Sequence, residues 1–153
     1  ELTIINHCPG AIGLRLFGLG PHYSPCKALK QLQNLLENNT KWAKNRSIVS
    51  IKKTLRHSDV IVSLWKDNKI IGFGRASSDR VFRATLWDVV IKKEEQRNGL
   101  GKLIIAELLK AKELKNVEKI YLMTSTSCNF YEQLGFRRNT NQTLMLINNS
   151  QNS

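Results

Sequence analysis

One stretch limits what this chain can fold into more than any other. Trp87 to Lys115 reads as a short apolar strand, Trp87-Asp88-Val89-Val90-Ile91, then a charged loop, the turn Gln96-Arg97-Asn98-Gly99-Leu100-Gly101, and an amphipathic helix. A strand that enters a helix through glycines leaves the first helical amides without intrahelical acceptors and sets the positive end of the helix dipole behind them. Such a place holds anions, phosphate oxygens above all. Gly99 and Gly101 lack Cβ, so main chain can come close to a ligand there, while Arg97 and Lys102 add full charges to the partial charges of the amides.

Two common phosphate loops are excluded. A dinucleotide fingerprint beginning at Gly99 needs glycine where Ile104 stands. A P-loop needs Ser or Thr after Gly101-Lys102, where Leu103 stands, and glycine where Gln96 stands. What remains is Gln-x-x-Gly-x-Gly between a strand and a helix. Downstream, the strand Lys119-Ile120-Tyr121-Leu122-Met123 leads to Asn129-Phe130-Tyr131-Glu132-Gln133-Leu134-Gly135-Phe136.

In this order the two patterns resemble the GNAT superfamily of N-acetyltransferases: the first its pyrophosphate-binding motif, the second its Phe-Tyr-x-x-Leu-Gly-Phe signature. The resemblance runs from Val60 to Leu146, with a weaker helical match before it. Ser-Leu-Trp, Gly-Phe-Gly-Arg-Ala and Leu-Trp-Asp-Val-Val are similar to the cyanobacterial and plant-plastid branch, which includes serotonin N-acetyltransferase-like enzymes and plastid protein acetyltransferases.

The resemblance implies an α/β (α+β) fold, a mixed central sheet flanked by helices, with a single N-acetyltransferase domain over residues 1–147 and a frayed tail over 148–153. It implies acetyl-CoA as co-substrate and direct attack by an amine in a ternary complex. Val89, Val90 and Ile91 would lie along the pantetheine arm, with Val89 and Ile91 offering backbone groups. Gln96, Arg97, Asn98, Gly99, Leu100, Gly101 and Lys102 would hold the pyrophosphate, and Asn129 would reach the arm from the other side. Gln96 stands where the motif has Arg, a loss of one charge for which Arg97 can compensate.

Tyr131 matches the tyrosine that often protonates the departing thiolate. Asp88, the one carboxylate within the central strand, is the candidate base, its pKa raised by bulky apolar neighbours; the rival reading makes it a structural partner of a nearby Arg or amide. For the acceptor, the branch points to an arylalkylamine such as serotonin or tryptamine, with Trp42, Phe73, Phe82, Trp87 and Phe130 as stacking surfaces. A protein lysine or N-terminal amine is the alternative, and a non-catalytic CoA-binding interaction module is a further one.

Composition bounds the rest. A chain of 153 residues suits one domain. No apolar run approaches bilayer length, and Glu1-Leu2-Thr3-Ile4-Ile5-Asn6 does not read as a secretory signal, so a cytoplasmic protein is expected, in bacterial cytosol or plastid stroma. The absent initiator Met suggests truncation or processing. The net charge of +12 attracts polyanions, coenzyme A among them, but the basic residues are scattered rather than striped with aromatics, so no specific nucleic-acid partner is expected. Cys8, Cys26 and Cys128 lack metal-ligand spacing, and with the isolated His7, His22 and His57 predict no metal site. Edge strands in this fold often find partners, which leaves a homodimer open.

Strands are expected at Leu2–His7, Gly13–Phe17, Asp59–Lys66, Lys69–Ala76, Val81–Ile91 and Thr143–Ile147. Turns fall at Pro9-Gly10, Gly18–Pro21 and Asp67-Asn68, and another at Ser77–Arg80. Ser24-Pro25 opens a helix whose leucines recur from Leu29 to Leu36 and which fades at Asn38-Asn39; Ser47 caps a second helix with Ile48, Ile51 and Leu55 on one side. Between them Trp42 is either a packing anchor or one wall for an aromatic amine. From Leu100, residues Leu103, Ile104, Leu108, Ala111 and Leu114 mark a buried helical face. Gly72 and Gly74 mark a bulge, close packing, or a face where ligand approaches.

Overall fold

The structure is a computed structural model that describes residues 1–7 and 25–149, and side chains of the second segment from residue 27 onward. The expected strand at Gly13–Phe17, the turns at Pro9-Gly10 and Gly18–Pro21, the Ser24 cap, Cys8, Cys26 and His22 lie outside the described residues. Two compact units are present, Glu1–Met123 and Thr124–Ser153.

The first unit is built on a five-stranded sheet of β1 (Leu2–His7), β2 (Val60–Lys66), β3 (Lys69–Ser78), β4 (Arg83–Ile91) and β5 (Lys119–Tyr121), in that spatial order. The first four are antiparallel neighbours, and β5 runs parallel to β4. Helices α1 (Pro25–Asn39) and α2 (Ile48–Arg56) precede β2; α3 (Leu100–Lys110) and the short α4 (Lys112–Lys115) connect β4 to β5.

Val60 to Trp65 is buried at every position, as in a strand covered on both faces. Alternation shows what covers each face. Phe73 joins Ile61, Trp65, Ile70 and Val90 in one cluster with Leu29, Leu32, Leu36, Ile51 and Leu55 of α1 and α2. Its neighbours Gly72 and Gly74 point the opposite way. A Cβ on Gly72 would lie 2.7 Å from Ile104 Cδ1, and one on Gly74 would lie 2.9 Å from Ile104 Cγ2. Both glycines therefore let α3 press onto the sheet, which resolves their role as packing.

Local chemistry explains the joints. Asp67 and Asn68 both have positive φ, 50° and 65°, and close β2 onto β3 as the expected two-residue hairpin. Ser47 Oγ accepts the Ser50 N–H at 3.1 Å, capping α2 as expected.

Four expectations are corrected. Val81 and Phe82 precede β4 rather than opening it, because Asp79 Oδ1 gathers the N–H groups of Val81, Phe82 and Arg83 at 2.8, 2.7 and 3.0 Å into a tight turn. The helix from Leu100 breaks at Ala111, whose ψ of 142° is extended, and restarts as α4. Leu103 is 44% exposed and off the buried face formed by Ile104, Ile105 and Leu108. Thr143–Ile147 forms no strand, and Leu144 to Ile147 stand in solvent.

Candidate active site

The turn between β4 and α3 has the geometry of an anion cradle. Ile91 ends β4, Lys93–Glu95 makes one 3-10 turn, and Arg97 and Gly99 take positive φ values of 67° and 76°. Gly99 is the N-cap of α3, and nothing stands within 4 Å of where its Cβ would be, so main chain there is open to a ligand. The first amide to find a helical acceptor is that of Leu103, which donates to Gly99 O at 3.2 Å. From Gly99 to Lys102 no backbone N–H meets an acceptor outside the helix among the described residues. The two amide side chains of the turn bend inward instead: Gln96 Nε2 donates to Ile91 O at 3.0 Å and Asn98 Nδ2 reaches Glu95 O at 3.5 Å. Donors thus remain in a row at a helix entrance, with the Arg97 and Lys102 charges beside them.

The strand feeding this turn is half uncovered. β5 pairs only with Arg83, Ala84 and Thr85, so from Leu86 to Ile91 no strand takes up that edge of β4 among the described residues. On the other edge Val90 pairs with Phe73 and Lys92 N–H donates to Ile71 O at 2.8 Å. Ladder alternation turns the Val90 backbone toward β3 and the Ile91 backbone away from it. Val89 has no ladder partner of its own, because the register shifts between Phe73 and Arg75. Of the two positions expected to offer backbone groups, Val89 and the Ile91 N–H thus face away from β3, while the Ile91 carbonyl already accepts Gln96 Nε2; Val90, also expected along the arm, is engaged with β3 and its side chain is core.

That shift is a β-bulge in which Asp88 and Val89 oppose Gly74. Asp88 has φ 55°, a left-handed backbone that Asp tolerates better than most residues and that glycine usually supplies in such bulges. Its Oδ2 receives Arg75 Nε at 2.8 Å and Arg46 Nη1 at 2.9 Å, with the carboxylate side chain only 7% exposed. Burial pushes its pKa up, but the Arg46 hydrogen bond and the Arg75 charge outweigh burial and hold the carboxyl below its usual range. The expectation of a raised pKa is therefore reversed: in place of desolvation by apolar neighbours stands an ion pair with two guanidiniums.

Each guanidinium also lies over a tryptophan. Arg46 sits 6.0 Å from the Trp42 ring centroid and Arg75 5.9 Å from that of Trp87, whose Nε1 donates to Ser77 Oγ at 2.9 Å. Trp42 is 54% exposed, so it is not a packing anchor. Phe73 is core, 1% exposed, and offers no stacking surface; Phe82 is exposed in the turn before β4. The rival reading of Asp88, a structural partner of a nearby Arg, is the one the structure shows, but sequence reasoning does not single out Arg46 and Arg75 as the partners. The nearest signal is the Arg of Gly-Phe-Gly-Arg-Ala, which alternation puts level with Trp87.

In the second unit α5 (Cys128–Gln133) carries Asn129 and Tyr131. Tyr131 is half-buried, with Phe130 and Phe136 edge-on to its ring at centroid distances of 5.0 and 5.8 Å. Burial raises its phenol pKa above the usual value, so it is protonated at neutral pH. Gly135, at φ 98°, and the Phe136 N–H donated to Tyr131 O at 3.1 Å fold the signature's end back on the helix. Asn129 is exposed and Cys128 is a free thiol. Among the described residues no three His, Cys, Asp or Glu side chains gather, and no helix is long and apolar enough to cross a membrane.

Comparison with known proteins agrees with this geometry. Residues 29–136 match the model of the acetyltransferase (GNAT) family. An uncharacterized N-acetyltransferase, ycf52, of Porphyra purpurea is 37% identical over 113 residues, covering 71% of this chain and 64% of that protein. GCN5-related N-acetyltransferase 2, chloroplastic, of Arabidopsis thaliana is 39% identical over 72 residues, 46% of this chain and 28% of that protein. The chain spans less than two thirds of the length of these relatives. In fold it superposes on a GNAT-family acetyltransferase of Streptococcus pneumoniae with a TM-score of 0.70 at 18% identity, over 98% of this chain and all of the other. With the family model matched across the turn at Gln96–Gly101 and the aromatic signature at Phe130–Phe136, the chain belongs to the GNAT acetyltransferase family.

Proposed function

We propose that this protein is an acetyl-CoA-dependent N-acetyltransferase that moves an acetyl group to a primary amine by direct attack in a ternary complex. One observation carries the reading: four consecutive amides, Gly99 to Lys102, meet no acceptor outside the helix among the described residues at the entrance of α3, next to the uncovered edge of β4. The family takes acetyl-CoA as co-substrate, and these groups fit it. The amides with Arg97 and Lys102 take the pyrophosphate, Val89 and Ile91 pair with the amide-bearing pantetheine arm, and Asn129 contributes a further hydrogen bond to that arm. The family match runs through both compact units, which supports one functional domain over 1–147.

Tyr131 is the proton donor to the leaving thiolate; its protonated phenol is matched to that task. Asp88 is a positioning residue rather than the base. A carboxylate whose pKa lies below the usual range is a poor acceptor of a proton from an ammonium of pKa about 10.4. The amine's proton therefore leaves to water, and kcat/KM rises with pH along the acceptor's own titration. An inflection between about pH 5 and 8 that Asp88→Asn abolishes would return the base role to Asp88.

The acceptor we favour is an arylalkylamine such as serotonin or tryptamine, because Trp42 is exposed and Trp87 half-buried, each with a guanidinium over it. The compartment proposed is bacterial cytosol or plastid stroma, the latter supported by the chloroplastic relative. The test is free-thiol release from acetyl-CoA with a panel of arylalkylamines, polyamines and peptides bearing lysine or a free N-terminus. Release with arylalkylamines at the highest kcat/KM is expected. Preference for peptides would move the acceptor to protein amines, and acetyl-CoA binding without release for any amine would make the protein a CoA-binding module.

A further inference from the structure

The 3-10 turn Lys93–Glu95, through which the chain leaves β4 for the glycines, has no cap of its own: Lys92 precedes it without a side-chain hydrogen bond to the turn. Asn39, 54 positions earlier at the end of α1, supplies one. Its Oδ1 accepts the Lys93 N–H at 2.8 Å while its Nδ2 donates to Leu35 O at 2.9 Å, so α1 aims the side chain that holds the turn. The first N–H of a turn of helix has no acceptor within it, and a side-chain oxygen is what ordinarily satisfies it. The same helix end carries the Trp42 loop. Thr40 Oγ1 accepts the Ala43 N–H at 3.0 Å, Glu37 Oε2 accepts the Asn45 N–H at 2.7 Å, and Gln33 Nε2 donates to Arg46 O at 2.9 Å, which ties residues 40–46 to α1. Arg46 then reaches Asp88 at 2.9 Å. Two tethers thus join this helix and loop to β4 and its exit, one at Asp88 and one at Lys93, and the segment from Val89 to Lys92 lies between them.

Resting on the donor reading above, we propose that Asn39 is a positioning residue: it caps the turn before the phosphate cradle and couples acetyl-CoA binding to the Trp42 loop. A donor held on the amides of Gly99 to Lys102 and along Val89 and Ile91 occupies the segment between the two tethers. Holding the turn in place restrains Asn39, and through it the loop. By linkage the reverse holds equally, so the order that the donor gives the loop is order the loop returns as donor affinity. Without the Asn39 oxygen the Lys93 N–H turns to water, the turn is no longer set by α1, and the loop keeps only Arg46 as its tether to β4. Loss of a helix-capping side chain corresponds to about fivefold in an equilibrium constant. Asn39→Asp separates capping from helix stability. It keeps an oxygen for the Lys93 N–H, but it has no donor for Leu35 O and places a negative charge at the C-terminal end of α1, where the helix dipole opposes it.

The test uses the full chain. Calorimetric titration with acetyl-CoA should give a dissociation constant raised about fivefold or more in Asn39→Ala and within about twofold of wild type in Asn39→Asp, although Asn39→Asp should be the less heat-stable of the two. Hydrogen exchange followed by mass spectrometry reads the coupling without an acceptor amine. Saturating acetyl-CoA should slow exchange of the amides of residues 40–46 in wild type and in Asn39→Asp, and leave it unchanged in Asn39→Ala. Equal acetyl-CoA affinity in Asn39→Ala and wild type, affinity that falls in step with melting temperature across the two variants, or a loop protected by acetyl-CoA as well in Asn39→Ala as in wild type would each overturn the proposal while leaving the donor reading intact. Failure of the wild-type protein to bind acetyl-CoA would overturn the donor reading, and this proposal with it.

Discussion

Replacing Asp88 by Asn tests the centre of the site, because Asn tolerates the left-handed backbone at φ 55° and changes little beyond charge. Wild-type Asp88 accepts two charge-assisted hydrogen bonds, at 2.8 and 2.9 Å, on one oxygen of a side chain that is 7% exposed. Bonds to charged groups contribute about 1.5–3 kcal/mol each. Arg75 is 18% and Arg46 32% exposed, so water takes up part of what each loses, and the neutral amide oxygen still accepts one bond. The expected cost is about 2–3 kcal/mol, which at this chain length lowers Tm by roughly 4–12 °C.

The sign with pH follows from the lowered pKa. A carboxylate depressed in the folded state stabilises above its unfolded pKa and loses that contribution as pH falls through the folded value. The gap between wild type and Asp88→Asn should therefore be full at about pH 7 and shrink as pH falls below about 4. Thermal unfolding followed by circular dichroism at a series of pH values measures it. A gap under about 0.5 kcal/mol at neutral pH, or one of constant size down to about pH 2, would refute the ion-pair reasoning.

Three further outcomes are expected. Tyr131→Phe should lower the chemical rate by at least about tenfold, with the acetyl-CoA dissociation constant moving far less; a rate within about twofold in single-turnover experiments would remove the phenol from the reaction. Gly99→Ala meets open space but a φ of 76°, so it should cost about 1–2 kcal/mol in stability, and calorimetry should show weakened acetyl-CoA binding because the cradle amides shift. Gly72→Ala places a Cβ 2.8 Å from Ile91 Cδ1 and 3.2 Å from Leu64 Cβ, and should destabilise by about 1–3 kcal/mol in denaturant unfolding; a neutral result would mean that α3 does not pack as described.

The parts of the site legible in the sequence are those in which consecutive residues carry the geometry. Gln96 to Gly101 has to turn into a helix because of its glycines. Asp67-Asn68 has to close a hairpin, since both tolerate positive φ, and Ser47 has to cap, because its hydroxyl reaches an amide three residues on. Tyr131 comes from the resemblance of a contiguous signature to a known family rather than from physics.

What the sequence hides lies between residues far apart in the chain. Arg46 and Asp88 are 42 positions apart and Arg75 and Asp88 are 13 apart, and a bulge without glycine brings them together. Sequence neighbours of Asp88 are apolar and suggest desolvation; its spatial neighbours are cationic, and they reverse the direction of its pKa. The break at Ala111 carries no Gly or Pro to announce it, and at Leu144 to Ile147 an apolar run promises a strand that no neighbouring strand completes.

By itself, then, the order of residues determined the glycine turn into α3, the β2–β3 hairpin and the family, since short-range sterics and amide geometry act within a few positions of each residue. Only the tertiary structure decided that Asp88 is an ion-pair centre and Trp42 a surface ring, because burial and Coulomb energy depend on distance in space, which the sequence records only indirectly.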